Sequence, residues 1–487
     1  MHKPSKLTLA VALVTSVAAI VAIAAAEAQT LTTLHSFDGT DGSEPTYALT
    51  QATNGALYGT TTGLGGSLAG TVFKITTTGK FALLSSFDNT DGDTPDSVLT
   101  QATNGDLYGS TELGGTSCSG SGCGTLFKIT PAGKLSTWLS FDGTNGSRPE
   151  GGVMQATNGD FYGTTVLGGV GNVGTVFKIT RGGTLTTLDS FNDGGVVYCP
   201  GGCRPNGQLI QATNGDFYGT TIAGGAYGYG TVYRITPGGT LTTLSTFANG
   251  NDGAAPSGAL IQGTDGHFYG TTQSGGPGLG GTVFMMSAAG TRTTLYNFCS
   301  EGTYPNCPDG YYPNAGLIQA TDGNFYGTTV YGGANGYGTV FRISSNGSLT
   351  TLYSFCSQNA CTDGGFPYAA LLQDTDGDFY GATLEGGLGY VGSDTGNGTI
   401  FRLSVGLGPF VMTQTTSGRV GSSVNILGTN LTGSTSVTFN GTSATFTVNS
   451  TGTVITATVP PGATTGTVQV VTPSGTLDSN VVYTVKL

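Results

Sequence analysis

Three short motifs recur seven times, in the same order, along this 487-residue chain. The first is Tyr-Gly-Thr-Thr or a close variant, with tyrosines 50 to 57 residues apart at Tyr58, Tyr108, Tyr162, Tyr218, Tyr269, Tyr326 and Tyr380. The second is typified by Gly-Thr-Val-Phe-Lys-Ile and the third by Leu-Thr-Thr-Leu-x-Ser-Phe. A period of this length is typical of propellers, solenoids and other arrays of one small structural unit.

Each unit contains four short β-type segments. In the fourth unit these are residues 209–213, 216–221, 231–236 and 241–247, and an Asn-Gly turn, a glycine-rich loop and a Pro-Gly-Gly turn separate them. Asn-Gly between β-type segments is a strong hairpin signal, so the unit predicts four antiparallel strands, as in a propeller blade. The 86 glycines exclude a mostly helical protein, because glycine costs about 1 kcal/mol inside a helix.

The repeat frame is offset at its two ends. Residues 31–37 match a fourth-strand motif with no first three strands before it, and the last unit stops at its third strand, residues 398–403. We predict that residues 31–37 supply the missing strand and close a ring. A linear solenoid gives no reason for this offset and would use distinct capping repeats. The predicted fold is therefore all-β, with a seven-bladed β-propeller of four-stranded blades over residues 29–407.

A four-stranded meander sorts its connections between two faces. The turns between strands 1 and 2 and between strands 3 and 4 are short and uniform, and we call their side the hairpin face. The 2–3 loops and the 4–1 connections between units are long and variable, as in residues 299–313, and we call their side the loop face. Binding residues tend to lie on irregular loops held by a rigid scaffold, so the loop face is the candidate functional surface.

The units resemble the bacterial GloVer tandem repeat, on segments such as Leu-Ile-Gln-Ala-Thr-Asp-Gly-Asn-Phe-Tyr-Gly-Thr-Thr at 317–329. This resemblance covers residues 31–405 and implies an exported, repeat-built bacterial protein without a defined activity. Residues 408–487 lack the motifs and contain no cysteine. Their segments Val-Gly-Ser-Ser-Val-Asn-Ile-Leu-Gly-Thr-Asn-Leu at 420–431 and Val-Pro-Pro-Gly-Ala at 459–463 resemble an IPT/TIG domain. That resemblance implies an immunoglobulin-like β-sandwich acting as a spacer or adhesive module.

Residues 1–28 have the organisation of a secretory signal peptide. Two lysines precede an uncharged segment at residues 7–26, and Ala-Glu-Ala at 26–28 predicts cleavage before Gln29. The alternative is an uncleaved anchor, because the apolar segment is about long enough to span a bilayer. We expect a secreted, cell-surface or periplasmic protein without a transmembrane segment after cleavage. The net charge of −12 disfavours nucleic acid as a partner.

The eight cysteines form four local pairs, each within one connection of the loop face. Short, even spacing in an exported chain predicts disulfides that join Cys118 to Cys123, Cys199 to Cys203, Cys299 to Cys307 and Cys356 to Cys361. Such short loops gain only about 2 kcal/mol each in the chain-entropy model, so we expect the bridges to shape the loops. Zinc binding is the alternative, but no histidine lies beside the pairs. We predict no metal and no cofactor.

Residues for acid or nucleophilic chemistry are scarce. His35 and His267 lie in different units, so a serine or cysteine triad lacks a suitably placed base. Asp88 and Asp91 occupy a 4–1 connection and offer the paired carboxylates of a glycosidase or lyase, although Asp-Gly pairs in such loops also make turns. The alternating acids of residues 374–378 suggest calcium, yet they occupy the hairpin position of Thr-Asn-Gly-Asp in other units.

Residues that recur in every unit are interpreted as architectural, because a single ligand site would break the repeat symmetry. The tyrosines that depart from the repeat gather on the loop face, where such rings suit stacking on sugars; packing among the loops is the alternative. With Asp88 and Asp91, the candidate binding residues are Tyr227, Tyr229, Tyr311, Tyr312, Tyr337 and Tyr390. We expect a non-catalytic exported protein that binds an extracellular glycan or protein. A carbohydrate-active enzyme and a purely structural envelope or matrix protein are the alternatives.

Overall fold

The computed structural model describes residues 29–63, 69–192, 199–388 and 396–486. The predicted signal peptide and Tyr390 lie outside these residues. The described chain is all-β apart from one short 3₁₀ turn, Asn359–Cys361. No helix within these ranges is long and apolar enough to cross a membrane.

The strands of the repeated region follow one another regularly. The first strand of the described residues is β1 (Thr30–Ser36), and repeat one contains β2–β5: Thr50–Gln51, Leu57–Thr61, Thr71–Ile75 and Phe81–Ser86. Repeat two contains β6–β9: Thr100–Gln101, Leu107–Thr111, Thr125–Ile129 and Leu135–Ser140. Repeat three contains β10–β13: Val153–Gln155, Phe161–Thr165, Thr175–Ile179 and Leu185–Ser190. Repeat four contains β14–β18: Cys203–Pro205, Ile210–Gln211, Phe217–Ala223, Thr231–Ile235 and Leu241–Thr246.

The remaining strands complete the repeated region and form a C-terminal region. Repeat five contains β19–β22: Ile261–Gln262, Phe268–Thr272, Thr282–Met286 and Arg292–Asn297. Repeat six contains β23–β26: Ile318–Gln319, Phe325–Thr329, Thr339–Ile343 and Leu349–Ser354. Repeat seven contains β27–β29: Leu372–Gln373, Phe379–Thr383 and Thr399–Ser404. The tail, as we call residues 408–486, contains β30–β39: Val411–Thr413, Ser417–Arg419, Ser423–Gly428, Ser436–Phe439, Thr442–Ser443, Phe446–Val448, Val454–Thr458, Val468–Thr472, Gly475–Asp478 and Thr484–Lys486.

Each repeat forms an antiparallel sheet whose strands are neighbours in chain order. The sheet of repeat seven is completed by β1, which pairs with β29 and places Leu31 opposite Leu403, as the offset repeat frame predicts. In repeat four, β14 adds a further short strand to β16. The outer strand carries a bulge at the same place in successive repeats; in β18, for example, Leu244 is the extra residue opposite Val232 and Tyr233 of β17. Bulges at this position interrupt an exposed edge and discourage pairing with another chain.

Apolar clusters join each repeat to the next. Tyr218 stacks on Phe268 of repeat five with ring centroids 4.1 Å apart, and Tyr162 stacks on Phe217 at 4.0 Å. Repeat seven makes the corresponding contact with repeat one, where Tyr380 shares a buried cluster with Leu57. Burying one large apolar side chain stabilises a fold by about 1.5–3 kcal/mol, so these clusters are the main source of cohesion between repeats.

A glutamine at the end of the first strand adds a recurring polar link. Its Oε1 accepts a hydrogen bond from a threonine N–H in the hairpin of the preceding repeat, as Gln262 does from Thr213 at 2.9 Å. The same bond joins Thr53 to Gln101, Thr103 to Gln155, Thr157 to Gln211, Thr264 to Gln319 and Thr321 to Gln373. Between repeats seven and one, Gln51 Nε2 donates to Thr375 Oγ1 at 2.8 Å. A different hydrogen bond between the same two residue types therefore joins the last repeat to the first.

Only glycine is tolerated immediately before each third strand, for a conformational and a steric reason. Gly230 has φ +99°, and a β-carbon there would lie 2.3 Å from the Thr221 carbonyl oxygen and 2.7 Å from Pro256 Cδ. Gly398 has the same relation to Pro45 of the first connection. Because any side chain would collide with backbone and proline, only glycine allows this close approach.

The tail has its own apolar core and lies on the hairpin face. Its two four-stranded sheets have the orders β30-β32-β36-β35 and β34-β33-β37-β38, and β31 pairs with β39. Thr453 Oγ1 donates to the Thr53 carbonyl oxygen at 3.0 Å, and Gln414 Nε2 donates to the Ala102 carbonyl oxygen at 3.2 Å. The loop face is therefore the side away from the tail.

Candidate functional site

The 4–1 connections bring one residue from each repeat together on the loop face. Each connection enters the next first strand through a proline, and in three pairs of adjacent repeats the residue after that proline contacts its counterpart. Thr46 approaches Asp96 at 3.5 Å, Asn206 Nδ2 donates to Glu150 at 2.5 Å, and Ser257 Oγ donates to the Asn314 carbonyl oxygen at 2.8 Å. We call this set the inner ring: Thr46, Asp96, Glu150, Asn206, Ser257, Asn314 and Tyr368.

The residue before each of these prolines adopts a left-handed backbone conformation. The φ angles lie between 54° and 62° at Glu44, Thr94, Arg148, Arg204, Ala255, Tyr312 and Phe366. None of these residues is glycine, so each costs about 1 kcal/mol or more of backbone strain. Since the strain recurs in all seven connections, it belongs to the architecture that presents the inner ring.

One side of the inner ring is acidic. The Tyr47 hydroxyl donates to the Asp96 carboxylate, and Glu112 forms an ion pair with Arg148 at 3.0 Å. Enclosure by the protein, and then the charges of Glu150 and Glu112, raise the pKa of Asp96 to about 8. Enclosure and Glu112 raise the pKa of Glu150 to about 7, although Arg148 acts in the opposite direction. Asp96 and Glu150 are half-buried, and both carboxyl groups keep a proton to a higher pH than ordinary acids do.

The other side is aromatic. Tyr311 lies between Tyr304 and Tyr331, with ring centroids 5.1 Å and 5.3 Å away. Tyr331 also contacts the rings of Tyr312 and Phe366 at 5.8 Å and 5.4 Å. The Tyr331 hydroxyl lies 3.4 Å from the hydroxyl of the inner-ring residue Tyr368. The ring centroids of Tyr337 and Phe366 are 5.1 Å apart, which connects Tyr337 to the same group. We call this set the aromatic wall: Tyr304, Tyr311, Tyr312, Tyr331, Tyr337, Phe366 and Tyr368.

The structure brings together three of the tyrosines that the sequence singles out. Tyr311, Tyr312 and Tyr337 belong to the aromatic wall and are half-buried. Tyr227 and Tyr229 lie on the 2–3 loop of repeat four with 62% and 41% of their surface exposed. Tyr390 lies outside the described residues.

Asp88 and Asp91 stabilise the turn that contains them through hydrogen bonds. Asp88 Oδ1 accepts hydrogen bonds from the Thr90 N–H and hydroxyl at 3.0 and 2.6 Å, and Asp91 Oδ1 accepts from the Asp88 N–H at 3.0 Å. The hydroxyl and N–H of Thr90 lower the pKa of Asp88. These bonds form an Asx-type turn, and binding by either carboxylate stays a prediction.

Sequence reasoning missed the acidic side of the inner ring. Asp96 and Glu150 stand immediately after Pro95 and Pro149, and every repeat has a proline at this point. Aligning the seven units on that proline would have revealed that the next residue differs in nearly every repeat. The composition of the loops alone does not distinguish these acids from the turn-forming ones.

Three of the four predicted disulfides form: Cys118–Cys123, Cys299–Cys307 and Cys356–Cys361. The predicted fourth bridge is wrong for this structure, because Cys199 and Cys203 are buried free thiols. Strand β14 holds Cys203 opposite Ala223, where it meets Cys199 as a hydrogen-bonded thiol. Burial, and then that hydrogen bond, raise the pKa of Cys203 to about 12.

The alternating acids of residues 374–378 form a hairpin. The Asp376 carboxylate accepts from the Asp378 N–H at 3.0 Å and from the Tyr380 hydroxyl at 2.7 Å, and Asp378 pairs with Arg402 at 3.5 Å. Among the described ranges, no three His, Cys, Asp or Glu side chains converge as metal ligands.

The repeated motifs match the model of the Gloeobacter/Verrucomicrobia repeat over residues 19–122, 119–308 and 205–455. This chain belongs to that family. The match covers the units on which the GloVer resemblance rests, so the inner ring and the aromatic wall are built from connections between Gloeobacter/Verrucomicrobia repeats. No curated protein matches the chain at a significant level.

Solved structures similar to this chain share little sequence with it. The extracellular domain of a proposed one-component system from Bacteroides thetaiotaomicron is 11% identical, with a TM-score of 0.45 over 93% of this chain and 58% of that one. A gluconolactonase from Xanthomonas campestris is 12% identical, with a TM-score of 0.38 over 78% and 90%. An auxiliary nutrient binding protein from Bacteroides ovatus is 11% identical, with a TM-score of 0.39 over 61% and 73%. At these scores, none of their activities transfers to this repeat protein.

Proposed function

We propose that residues 29–407 form a seven-bladed β-propeller closed by β1, and that residues 408–487 form an immunoglobulin-like domain of the IPT/TIG type. The contacts between repeats seven and one support the closed ring: the Tyr380–Leu57 cluster, the Gln51–Thr375 hydrogen bond and the approach of Gly398 to Pro45. Two four-stranded sheets around one apolar core support the sandwich.

We further propose that the protein is exported and binds an extracellular glycan through its loop face, with the tail as a spacer. The observation that carries this proposal is the inner ring. At equivalent positions of a repeated backbone its side chains differ, acidic on one side and aromatic on the other. A binding site for one asymmetric ligand requires such a departure from the repeat. The three disulfides support an oxidising compartment.

The chemistry of the two sides suits a polyhydroxylated ligand. Half-buried tyrosine rings stack on the apolar faces of sugar rings while their hydroxyl groups hydrogen-bond. Asp96 and Glu150, when protonated, donate as well as accept hydrogen bonds, which matches sugar hydroxyl groups. An extracellular protein is the other ligand class that the loop face fits.

A glycan array on the mature chain tests this proposal, followed by calorimetric titration of the glycans that bind. We expect Tyr311→Ala and Asp96→Asn each to weaken binding about tenfold or more. Thr242→Ala, on the exposed outer strand of repeat four, is the matched control and should leave the affinity unchanged. If no glycan binds, or if both inner variants bind like the control, the glycan proposal fails.

A second candidate function, hydrolysis of the bound glycan, is favoured by the raised pKa values of Asp96 and Glu150. A carboxyl group that stays protonated near neutral pH can act as a general acid. The test is product analysis after prolonged incubation with a glycan that binds. If the protein is an enzyme, the glycan is cleaved, and Glu150→Gln abolishes cleavage without abolishing binding. If the glycan stays intact, hydrolysis is ruled out and binding is the function that remains.

A further inference from the structure

The seven hairpins of the hairpin face are not equally covered. Each contains one threonine and, two residues later, one glycine. Thr375 of repeat seven is buried and Thr53 of repeat one is half-buried. The equivalent threonines of the other five repeats are exposed: Thr103, Thr157, Thr213, Thr264 and Thr321. Because the repeat gives all seven hairpins the same turn, a part of the chain outside the repeats must cover these two.

The hairpin glycines show that the tail covers them. A β-carbon added to Gly377 would lie 2.7 Å from the Gly408 carbonyl oxygen, and one added to Gly55 would lie 2.7 Å from Thr453 Cγ2. At Gly159 the nearest atoms belong to its own repeat. Nothing lies within 4 Å of such a β-carbon at Gly105, Gly215, Gly266 and Gly323. The tail therefore packs on the hairpins of repeats seven and one, whose boundary we call the seam.

Hydrogen bonds from the tail follow the same distribution. The Phe410 N–H donates to the Thr375 carbonyl oxygen of repeat seven at 3.1 Å, and the Thr375 and Thr429 hydroxyls lie 3.0 Å apart. The bonds to the carbonyl oxygens of Thr53 and Ala102 attach the tail to repeats one and two. On the other side, a cavity of about 400 Å³ is lined by the tail and by the hairpins of repeats five and six. The tail is thus bonded around the seam and stands over a cavity elsewhere.

The seam also lacks the hydrogen bond that joins the hairpins of the other repeats. There the glutamine Oε1 accepts from the threonine N–H, whereas Gln51 Nε2 donates to Thr375 Oγ1. Gln51 Oε1 is buried and has no hydrogen-bond partner within the described residues. A buried acceptor without a partner weakens an interface, so the link between hairpins is least complete at the threonine to which the tail bonds.

We infer that the tail is a clamp that holds the seam closed together with β1, an inference that rests on the ring closure proposed above. The chain crosses the seam in both directions. Strand β1 continues covalently into repeat one and pairs with β29 of repeat seven, whereas the tail continues covalently from repeat seven and bonds to repeats one and two. Repeat seven can separate from repeat one only if both attachments are released. The tail therefore lowers the population of open rings, independently of any ligand on the loop face.

Amide hydrogen exchange of the full chain, read by mass spectrometry on peptides that cover β1 and β18, tests the clamp. Gly55→Gln places a side chain against Thr453 and should lift the tail from repeat one. We expect protection of the β1 amides to fall about tenfold or more, because opening of the seam then breaks only the pairing of β1 with β29. Protection of β18, the outer strand of repeat four, should stay unchanged.

Gly215→Gln is the matched control, since Gly215 has φ +89° against +77° at Gly55 and nothing lies within 4 Å of its added β-carbon. It should leave the β1 amides protected as in the parent chain. Equal protection of β1 in Gly55→Gln and Gly215→Gln would overturn the clamp. Unprotected β1 amides in the parent chain would overturn the ring closure itself, and the clamp with it.

Thr429→Val is a milder variant that keeps the shape of the side chain and removes the hydroxyl facing Thr375. It should lower β1 protection about threefold, because one hydrogen bond of the tail to repeat seven is lost. Thr447→Val, at an exposed position of β35 in the tail, is its control and should leave β1 unchanged. A Thr429→Val chain that exchanges like this control would also count against the clamp.

Discussion

The hairpin face and the loop face are built from the same seven repeats, yet they differ in how strictly the repeat is kept. On the hairpin face the same bonds recur, such as the Gln–Thr link and the bond from Asn158 to the Tyr162 hydroxyl at 3.0 Å. On the loop face the backbone recurs, through the left-handed residue and the proline after it, while the next side chain varies. Backbone contacts thus hold the inner ring in place, which leaves its side chains free to differ.

The contacts that stabilise the fold and the side chains proposed to bind a ligand therefore lie on different faces. The recurring contacts lie between repeats, so removing one of them weakens a whole interface. Among the inner-ring side chains, Asp96 and Glu150 oppose folding when they ionise.

Deleting residues 31–37 removes nearly all of β1, the strand that pairs with β29 of repeat seven. We expect the melting temperature to fall by more than about 10 °C and the transition to broaden, because the ring then has two open edges. Differential scanning calorimetry measures both. Thr32→Ala changes an exposed residue of the same strand and should melt like the parent chain. A deletion that melts unchanged would rule out closure by β1.

Gly230→Ala tests the close approach of each third strand to the next proline. We expect a loss of about 3 kcal/mol in the free energy of unfolding, from steric overlap and a left-handed backbone together. Gly215→Ala is the matched control, since its φ is +89° and nothing lies within 4 Å of its added β-carbon; it should lose about 1 kcal/mol. Urea titrations measure both values, and equal losses would show that the Gly–Pro contact contributes nothing.

The acids of the inner ring predict a pH dependence of stability. Because folding raises the pKa of Asp96 to about 8, the folded state holds a proton that the unfolded chain loses near pH 4. Stability therefore falls as pH rises from about 4 to about 8. Asp96→Asn should flatten this fall by more than about 1 kcal/mol in urea titrations across that range. Parallel pH profiles for the two chains would contradict the assignment.

The loop-face cysteines give the smallest and most local effect. Three bridges and two buried thiols predict that alkylation of the unfolded, unreduced chain adds two labels. Intact-mass spectrometry counts them. No label would mean that Cys199 and Cys203 are joined as the spacing predicts, and more than two would mean that one of the three bridges is absent.

Local chemistry made much of the architecture predictable. The period, the Asn-Gly turns and the alternating strand segments are properties of neighbouring residues, so the amino-acid sequence is enough to indicate the four strands of each repeat. The offset of residues 31–37 predicted the β1–β29 pairing, because a motif without its partners must find them elsewhere in the chain. Short cysteine spacings predicted three bridges correctly and failed at Cys199 and Cys203, where the strand pairing of β14 decides the geometry.

The candidate site depended on contacts that the sequence does not display. Tyr311, Tyr312 and Tyr337 were recognisable as departures from the repeat, whereas Asp96 and Glu150 resembled other loop acids. Asp96, Glu112 and Glu150 span more than one repeat, and only the packing of neighbouring repeats places their charges close enough to shift one another's pKa. The repeat period depends on the types of neighbouring residues, so the sequence is enough to reveal it. The protonation of an acid depends on its burial and on charges that are distant in sequence, and these are brought together only in the folded chain.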